Sequence, residues 1–436
     1  MNKVILVIAL LTRLSTPAYA DLFDLEFSGT WEQELAIASN EGEAQKFESL
    51  VEPEWNFNFD NGLELTAIGR LRLDLIGDLG PDQSRPDNYS SINGPWAQSA
   101  HGEVSLREFY LDAEWFGSFW RIGKQQVVWG QADGLKVLDV INPQSFREFI
   151  LDDFDDSRIP LWMLNVEVPV GEDDTLQFLW LPDTTYHELA EFGTPYQITS
   201  PRLIPHAPEG VPVNLSIPDK PDSFLADSDF GLRYSSFRGG WDITVNYLYH
   251  YADFPVLYQH LGTGGISIQP EYERSHLIGG TLSNAFGDFT LRAEVGYSTD
   301  TFHIARDLTG RGISNNPEFA SVLGLDWQGL SDTFVSVQWF QSYLFDYDPS
   351  TVRDRTENTL SFLVQRYFTS ETWKLELLVL QSLNDHDGLI RPKLTYSMLS
   401  NLDIWVSADI FHGNEDGLFG QFDHADRVSA GFRLGF

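Results

Sequence analysis

The sequence predicts an all-β protein, an antiparallel transmembrane barrel of about 18 strands, with about 16 strands as the alternative. Two patterns lead to this fold class. Apolar and polar side chains alternate in many segments along the chain, as on barrel strands that face lipid on one side and water on the other. The connections between these segments alternate between short and long. A helical membrane protein is excluded, because no stretch approaches the roughly 18 apolar residues of a membrane-spanning helix.

The first 20 residues have the layout of a secretory signal peptide. Lys3 precedes an apolar run over residues 4–11, and Ala18-Tyr19-Ala20 forms an A-x-A cleavage site. The apolar run is too short to span a bilayer. We therefore expect a signal peptide over residues 1–20 and a single barrel domain over residues 21–436.

The strands follow one another through the whole of residues 21–436. Seven internal ones show the clearest alternation: Leu63–Asp74, Arg107–Trp115, Trp241–Tyr249, Phe289–Tyr297, Val335–Tyr343, Trp373–Val379 and Leu402–Ile410. The last strand, Arg427 to Phe436, ends the chain on an aromatic residue. Its apolar face resembles the C-terminal signal by which outer-membrane barrels are recognised and inserted, and Phe432, Leu434 and Phe436 are the residues of that signal here.

The connections give an independent test of the barrel. The short ones are rich in Gly, Asn and Asp, as tight hairpin turns require, and lie near 60–62, 116–118, 171–174, 238–240, 285–288, 329–332, 369–371 and 399–401. The long ones lie near 39–46, 75–103, 132–160, 182–228, 251–271, 299–317, 345–356, 383–388 and 412–425. Transmembrane barrels place short turns in the periplasm and long loops outside, so this alternation predicts an even number of strands.

Composition agrees with a barrel and excludes several classes of protein. Hydrophobic residues make up 42% of the chain, yet the mean hydropathy is -0.22. The net charge of -36 argues against nucleic acid as a partner and against a basic membrane-surface anchor. It favours solvated acidic loops, or else attraction of cations, including divalent ions that bridge anionic lipopolysaccharide. Cysteine is absent, so disulfides and thiolate metal sites are excluded.

Two long connections are candidates for narrowing the lumen. The segment 129–160 carries many apolar residues that a solvated loop would not expose, so we expect it to fold inward. Its acidic residues Asp152, Asp153, Asp155 and Asp156 form a solvated turn or a cation site, for which Ca²⁺ is the candidate ion. We otherwise expect no cofactor.

The second candidate is the proline-rich connection near 182–228, a long semi-rigid excursion. Its ring-bearing side chains have two alternative roles: stacking on a ligand, or packing the loop against the barrel mouth. They are Tyr186, His187, Phe192, Tyr196 and His206.

Wall charges are the third feature of the predicted lumen. Arg70 and Arg72 belong to the polar face of one strand, and a polar ladder follows on the next strand: Glu108, Tyr110, Asp112 and Glu114. Two charge ladders that face each other would set a field across the pore or would stabilise the wall as cross-strand pairs. Two Asp–His pairs in outer loops, Asp385-His386 and Asp423-His424, are of the kind that a surface protease uses. Histidines in acidic loops are ordinarily only solvated, and the histidines of this chain show no metal-binding spacing, so catalysis is not expected.

A motif between residues 107 and 147 resembles the signature of a family of bacterial outer-membrane barrels. The signature, R-x-G-[RK]-Q followed by W-G and D-x-x-N-P, is matched here by Arg121-Ile122-Gly123-Lys124-Gln125, Trp129-Gly130-Gln131 and Asp139-Val140-Ile141-Asn142-Pro143. The family is uncharacterised and is similar in architecture to alginate-export and other substrate-specific channels. Its members often sit beside exporters of hydrophobic or lipid-like compounds. The resemblance implies a channel without catalytic residues. It adds Arg121, Lys124, Gln125, Trp129, Gly130, Gln131, Asp139 and Asn142 to the candidate lumen residues.

Together these observations predict a loop-constricted channel in the outer membrane of a Gram-negative bacterium. It would pass small polar or amphipathic solutes by diffusion. One alternative is the outer-membrane component of an export pathway, with an inner-membrane exporter as partner. The other is a closed barrel that acts as a surface receptor or adhesin. The further expected partners are membrane lipid, lipopolysaccharide and the barrel-assembly machinery.

Overall fold

The computed structural model describes residues 23–40, 42–80, 88–207, 210–218, 220–308 and 311–436. The predicted signal peptide lies outside the described residues. In the described part of the chain, 18 strands pair in sequence order into one antiparallel sheet, and the first strand pairs with the last. The predicted closed barrel of 18 strands is confirmed.

We number the barrel strands in chain order. They are β1 (Phe23–Ala38), β2 (Ala44–Phe59), β3 (Glu64–Asp74), β4 (Gly102–Trp115), β5 (Ser118–Gln125), β6 (Leu161–Val170), β7 (Asp174–Leu181), β8 (Asp229–Arg238), β9 (Trp241–Tyr251), β10 (Arg274–Phe286), β11 (Phe289–Ile304), β12 (Ile313–Leu330), β13 (Thr333–Leu344), β14 (Thr356–Phe368), β15 (Trp373–Ser382), β16 (Gly388–Leu399), β17 (Leu402–His412) and β18 (Arg427–Gly435).

Short elements lie in the long connections. The strands among them are Ala97–Ser99, Ser145–Phe146, Glu188–Leu189, Val213–Leu215, Val256–Gly262 and Gly265–Glu271. In the described part of the connections, the helices are an α-helix, Phe154–Ser157, and a 3-10 helix, Gly420–Ala425. Among the residues that the structure describes, no helix has the length and apolarity needed to cross a bilayer.

The two faces of each barrel strand differ as the sequence pattern predicts. On β13, Val337 and Trp339 are 47% and 44% exposed on the outer surface, whereas Ser336 and Gln338 between them are buried. An apolar outer belt around a closed barrel is the surface that a bilayer solvates, and barrels of this type belong to the Gram-negative outer membrane. The predicted location is therefore confirmed, and the buried side chains lie inside the barrel.

Two of the predicted long connections contain more strand than the sequence indicates. The β11–β12 hairpin continues as far as Ile304 and Ile313, with Thr301 opposite Asn316, so only residues 305–312 connect the two strands. The connection near 251–271 contains the hairpin of Val256–Gly262 with Gly265–Glu271. Both extensions lie beyond the lipid belt, where strand pairing no longer requires apolar alternation, and the period-two pattern does not reveal them.

The barrel closes between β1 and β18, and the end of the chain is part of this seam. Gly29 and Phe436 exchange backbone hydrogen bonds of 2.9 and 3.0 Å. A Cβ atom on Gly29 would lie 2.7 Å from the Phe436 ring and 2.8 Å from the Glu52 carbonyl oxygen. The absence of a side chain at Gly29 therefore lets the terminal ring cover the seam.

We expect Gly29→Ala to lower the free energy of unfolding by about 1–3 kcal/mol, because the added methyl group overpacks the seam. The measurement is denaturant unfolding of the folded barrel in detergent micelles. Gly69→Ala is the matched control, because a Cβ atom there meets nothing closer than Pro53 Cγ at 3.6 Å. Equal losses in the two variants would show that the seam is not specifically tight.

Candidate functional site

The inner wall on both sides of the closing seam is crowded with ion pairs. Lys46 Nζ on β2 lies 2.7 Å from Glu34 Oε2 on β1. Arg427 Nε on β18 lies 2.8 Å from Asp409 Oδ2 on β17. Lys46, Asp409 and Arg427 are each less than 5% exposed. Period-two alternation brings these side chains inside, and pairing compensates for the loss of their hydration.

The connection between β5 and β6, residues 126–160, runs through the interior, and we call it the inward segment. The backbone N–H groups of Gln131 and Leu138 donate to the Glu294 carboxylate on β11. Further along, Arg391 Nη2 on β16 donates to the Leu151 carbonyl oxygen at 2.6 Å. Strands β11 and β16 are at least five strands away from β5 and β6 around the ring, so the segment spans the lumen.

The motif residues fix the two ends of the inward segment. Asn142 Oδ1 accepts the Val127 N–H at 2.8 Å, and its Nδ2 donates to the Ile159 carbonyl oxygen at 3.0 Å. Trp129 is completely buried, and its Nε1 donates to Gln177 Oε1 on β7 at 2.9 Å. Gly130 lets the backbone pass Asp139, whose backbone nitrogen would lie 2.9 Å from a Cβ atom at that position.

The apolar side chains of the segment lie against two apolar patches of the inner wall. In the first, Trp129, Leu138 and Ile141 pack on Leu161, Met163, Leu179, Leu181, Leu248 and Leu277. In the second, Phe149 and Leu151 pack on Leu380, Leu389 and Phe411 of the wall and on Phe419 and Phe422 of the β17–β18 connection. Burial of these side chains accounts for the segment's position inside the barrel.

Glu148 is the centre of the ion pairs that hold the segment to the wall. It is fully buried, and its carboxylate lies 2.8 Å from Lys46 Nζ, 2.8 Å from Arg147 Nη2 and 2.6 Å from Arg427 Nη1. Burial alone would raise the pKa of Glu148, but the charges of Lys46, Arg427 and Arg147 outweigh it and hold the pKa well below its ordinary value. The carboxylate therefore stays ionised and tethered at neutral pH.

The predicted facing ladders of β3 and β4 are in a different register. Arg70 is opposite Ser105 and Arg72 is opposite Glu103, because Arg107 forms a bulge where the pairing shifts. Arg70 pairs with Glu52, whose Oε1 lies 2.7 Å from its Nε, and Arg72 Nη1 lies 3.3 Å from Glu103 Oε2. The expected juxtaposition with Glu108, Tyr110, Asp112 and Glu114 is therefore wrong. The antiparallel register places Glu108, Tyr110 and Asp112 opposite Ile68, Thr66 and Glu64, on the other side of the bulge from Arg70 and Arg72.

The other predicted wall residues make short-range contacts. Arg121 binds Asp112 through two hydrogen bonds of 2.7 Å, with its guanidinium 4.1 Å from the centre of the Tyr110 ring. Lys124 Nζ donates to the Leu106 carbonyl oxygen at 2.6 Å. Gln126 Nε2 donates to Glu108 Oε1 at 2.9 Å.

Three further predicted residues are placed as follows. Glu114 is exposed near the short β4–β5 turn. Gln125 is fully buried and donates to the Met163 carbonyl oxygen. Asp139 pairs with Arg158 and Lys136.

The acidic run does not assemble as a metal site. Within the described residues, no three Asp, Glu, His or Cys side chains converge with the geometry to hold a metal ion. Asp155 pairs with Arg158, and Asp156 lies 3.4 Å from Arg70 Nη2. Burial, and next the neighbouring Glu148 carboxylate, raise the pKa of Asp152 to about 6. Of the four residues, Asp155 and Asp156 therefore have arginine side chains beside them.

The long connection between β7 and β8 is described over residues 182–207, 210–218 and 220–228, and we call these residues the mouth segment. Tyr196 is fully buried beside Phe411 and Phe422, and Ser200 Oγ donates to the Asp416 carbonyl oxygen at 2.6 Å. Arg202 pairs with Glu357 near the start of β14 and with Asp385 in the connection that follows β15. The part of the mouth segment from Tyr196 to Arg202 is therefore docked on the rim of the barrel that lies opposite β7 and β8.

The terminal aromatic residues lie on the outer surface. The Phe432 ring is 5.1 Å from the Trp31 ring in an edge contact, and the Phe436 ring is 6.0 Å from the Phe27 ring. Phe436 is 51% exposed. The terminal strand thus presents an aromatic outer face at the seam.

Two cavities flank the inward segment. The larger lies between the segment and the wall of β1–β3 and β15–β18, and it reaches down to Glu376. The smaller lies between the segment, β3–β5 and the outer connection at Tyr89 and Asn93. Arg70, Arg72, Ser145 and Asp156 border both. The two cavities therefore adjoin at these side chains.

Sequence reasoning missed three residues that tether the two segments: Glu148, Arg147 and Arg202. No local pattern marks them, because their partners across the barrel are more than 90 residues distant in the chain. Tyr196 was among the ring-bearing residues named from the sequence, and of its two alternative roles the structure shows packing against the mouth. For Arg427 a signal exists, since the polar face of a terminal strand must point into the barrel.

No curated protein sequence matches the chain. Among solved structures, a BenF-like porin from Pseudomonas fluorescens Pf-5 is 11% identical, covers 95% of this chain and 99% of its own, and has a TM-score of 0.54. OccK2 (OpdF) of Pseudomonas aeruginosa is 11% identical, with coverages of 95% and 97% and a TM-score of 0.53. OccK9 (OpdG) of the same species is 12% identical, with coverages of 95% and 98% and a TM-score of 0.51. These likenesses establish the porin fold.

A protein-family model described as "Protein of unknown function (DUF1302)" matches residues 70–373, which is more than half of the chain. The match includes the W-G and N-P motif and most of the strands. The predicted resemblance to an uncharacterised family of outer-membrane barrels is confirmed, and the chain belongs to the DUF1302 family.

Proposed function

We propose that this protein is an outer-membrane channel that passes small polar or amphipathic solutes through a lumen narrowed by the inward segment. The observation that carries the proposal is the pair of cavities that adjoin at Arg70, Arg72, Ser145 and Asp156. A solute would pass between the segment and the wall of β3. The contact of 3.4 Å between Arg70 Nη2 and Asp156 Oδ1 is long for an ion pair, so a small side-chain movement would widen this point.

The test is single-channel conductance of the refolded protein in a planar bilayer, with the reversal potential measured under a KCl gradient. Steady steps with cation selectivity would support an open acidic pore. No conductance from a barrel shown to be folded would overturn the channel proposal. It would favour the second candidate, a closed surface receptor, which is supported by the docking of Tyr196 and Arg202 across the mouth.

The channel's selectivity should depend on pH through Asp152, which borders the larger cavity. Its pKa of about 6 means that the carboxyl group is neutral below pH 6 and negative above it. We therefore expect cation selectivity to increase as the pH rises from 5 to 7, measured as the reversal potential. Asp152→Asn should reduce this change, whereas Asp155→Asn should preserve it, because the Asp155 side chain is 90% exposed. An unchanged pH profile in Asp152→Asn would contradict the assignment.

Three partners fit the outer surface of the barrel. The outward apolar face of Phe432, Leu434 and Phe436 would be the signal for the barrel-assembly machinery, and the apolar belt would contact lipid and lipopolysaccharide. Deletion of Phe436 should lower the yield of folded barrel in the outer membrane. Normal insertion of the truncated chain would contradict this role.

A further inference from the structure

The larger cavity contains an apolar stripe within an otherwise charged wall. Leu378, Pro392 and Trp405 border it from the adjacent strands β15, β16 and β17, and Leu151 borders it from the inward segment. Inward-facing residues of a water-filled barrel are ordinarily polar, so water in contact with such a stripe is unfavourable. An apolar group bound against the stripe would displace that water. The stripe therefore points to a solute with an apolar part.

Lys393 is the one basic residue of this cavity that has no ion pair among the described residues. Arg70, Arg72, Lys46, Arg147, Arg391 and Arg427 each have a carboxylate within 4.0 Å. Glu376 is directly opposite Lys393 on β15, but its carboxylate binds Lys374 Nζ at 2.7 Å instead. The Lys393 ammonium group lies 5.0 Å from the centre of the Trp405 ring. A free cation thus lies beside the apolar stripe.

The indole of Trp405 is fixed in place by the backbone of β18. Trp405 is opposite Gly431, and a Cβ atom there would lie 2.7 Å from Trp405 Cζ2. The ring therefore rests directly on the strand, and it is 9% exposed. A rigid aromatic face with an adjacent ammonium group requires little reorganisation when a ligand binds.

We infer that Lys393 and Trp405 form a binding subsite for an organic monoanion with an aromatic or aliphatic body. This inference rests on the proposed channel function and names its solute class. The ammonium group of Lys393 would bind the carboxylate, and the apolar body would lie along Trp405 and Leu378. Asp152 and Asp153 border the same cavity from the inward segment. Their carboxylates oppose a second negative charge, so the subsite favours monoanions over dianions.

The test is equilibrium dialysis of 4-phenylbutyrate against the folded, detergent-solubilised barrel. We expect saturable binding, and binding roughly tenfold weaker in Lys393→Met, because the charged hydrogen bond is lost. Lys374→Met is the matched control: it removes the same charge from the neighbouring strand, but Lys374 does not border the cavity. Lys393→Gln replaces Lys393→Met if the latter does not fold. Acetate and phenylsuccinate, which lack the apolar body or carry a second charge, should each bind more weakly than 4-phenylbutyrate.

Equal weakening in the two lysine variants, or no binding by the native chain, would overturn the subsite. The same preparations are then assayed for KCl conductance, which separates the two proposals. Conductance without binding would reject the subsite and retain the channel. Binding that depends on Lys393 without conductance would retain the subsite and reject the open channel.

Discussion

Replacement of Glu148 by alanine should destabilise the barrel by about 3–5 kcal/mol, because one substitution leaves three buried cations without their shared carboxylate. Lys46, Arg147 and Arg427 converge on this group at 2.6 to 2.8 Å, and all three are buried. The segment should therefore leave the wall near the seam. We expect a lower midpoint of unfolding in detergent and, if the lumen conducts, a larger single-channel conductance.

The control for this variant is Asp155→Ala in the same segment. Asp155 also pairs with an arginine, Arg158, but its side chain is 90% exposed, so its removal should change stability by less than about 1 kcal/mol. Equal destabilisation by the two substitutions would show that the network around Glu148 is not a specific tether. A stable Glu148→Ala barrel with native conductance would show that apolar packing alone holds the segment.

The barrel was predictable because membrane solvation imposes its pattern directly on the sequence. Each lipid-facing position must be apolar and each turn must reverse the chain, so residues such as Val337 and Trp339 reveal both strand and orientation. Lipid no longer constrains the strands at Thr301 and Asn316 in the extended β11–β12 hairpin. The alternation of apolar and polar residues therefore does not predict that the strands continue there. The sequence therefore predicted the strands within the bilayer correctly, but it did not predict their extensions beyond the bilayer.

The interior was less predictable because its geometry depends on register and on partners distant in the chain. The register of β3 with β4 places Arg70 opposite Ser105 and Arg72 opposite Glu103, whereas Glu108 lies opposite Ile68 on the other side of the bulge at Arg107. Composition alone distinguished the apolar inward segment from a solvated loop. It did not identify Glu148, which looks like an ordinary acidic residue until Lys46 and Arg427 are brought to it from both ends of the chain.

The mouth segment yields the second large effect, which we expect from Tyr196→Ala. The ring is completely buried, 5.9 Å from the Phe422 ring, and its hydroxyl group donates to the Ala425 carbonyl oxygen at 3.3 Å. Truncation of a buried aromatic side chain costs about 3–5 kcal/mol. Because the loss falls on the contact between the segment and the opposite rim, the segment should undock while the barrel stays folded.

Trypsin reports this undocking directly. The bond after Arg202 is held near Glu357 and Asp385 while the segment is docked, so it should resist cleavage in the native barrel and become sensitive in Tyr196→Ala. Phe192→Ala removes an aromatic ring of the same segment that is 92% exposed, and it should leave the cleavage rate unchanged. If both variants are cut at the native rate, the segment is held by Arg202 and the contacts of Ser200 rather than by Tyr196. If only Tyr196→Ala is cut and its conductance also rises, the segment restricts the mouth as well as covering it, because release of one buried ring would then open the path to solutes.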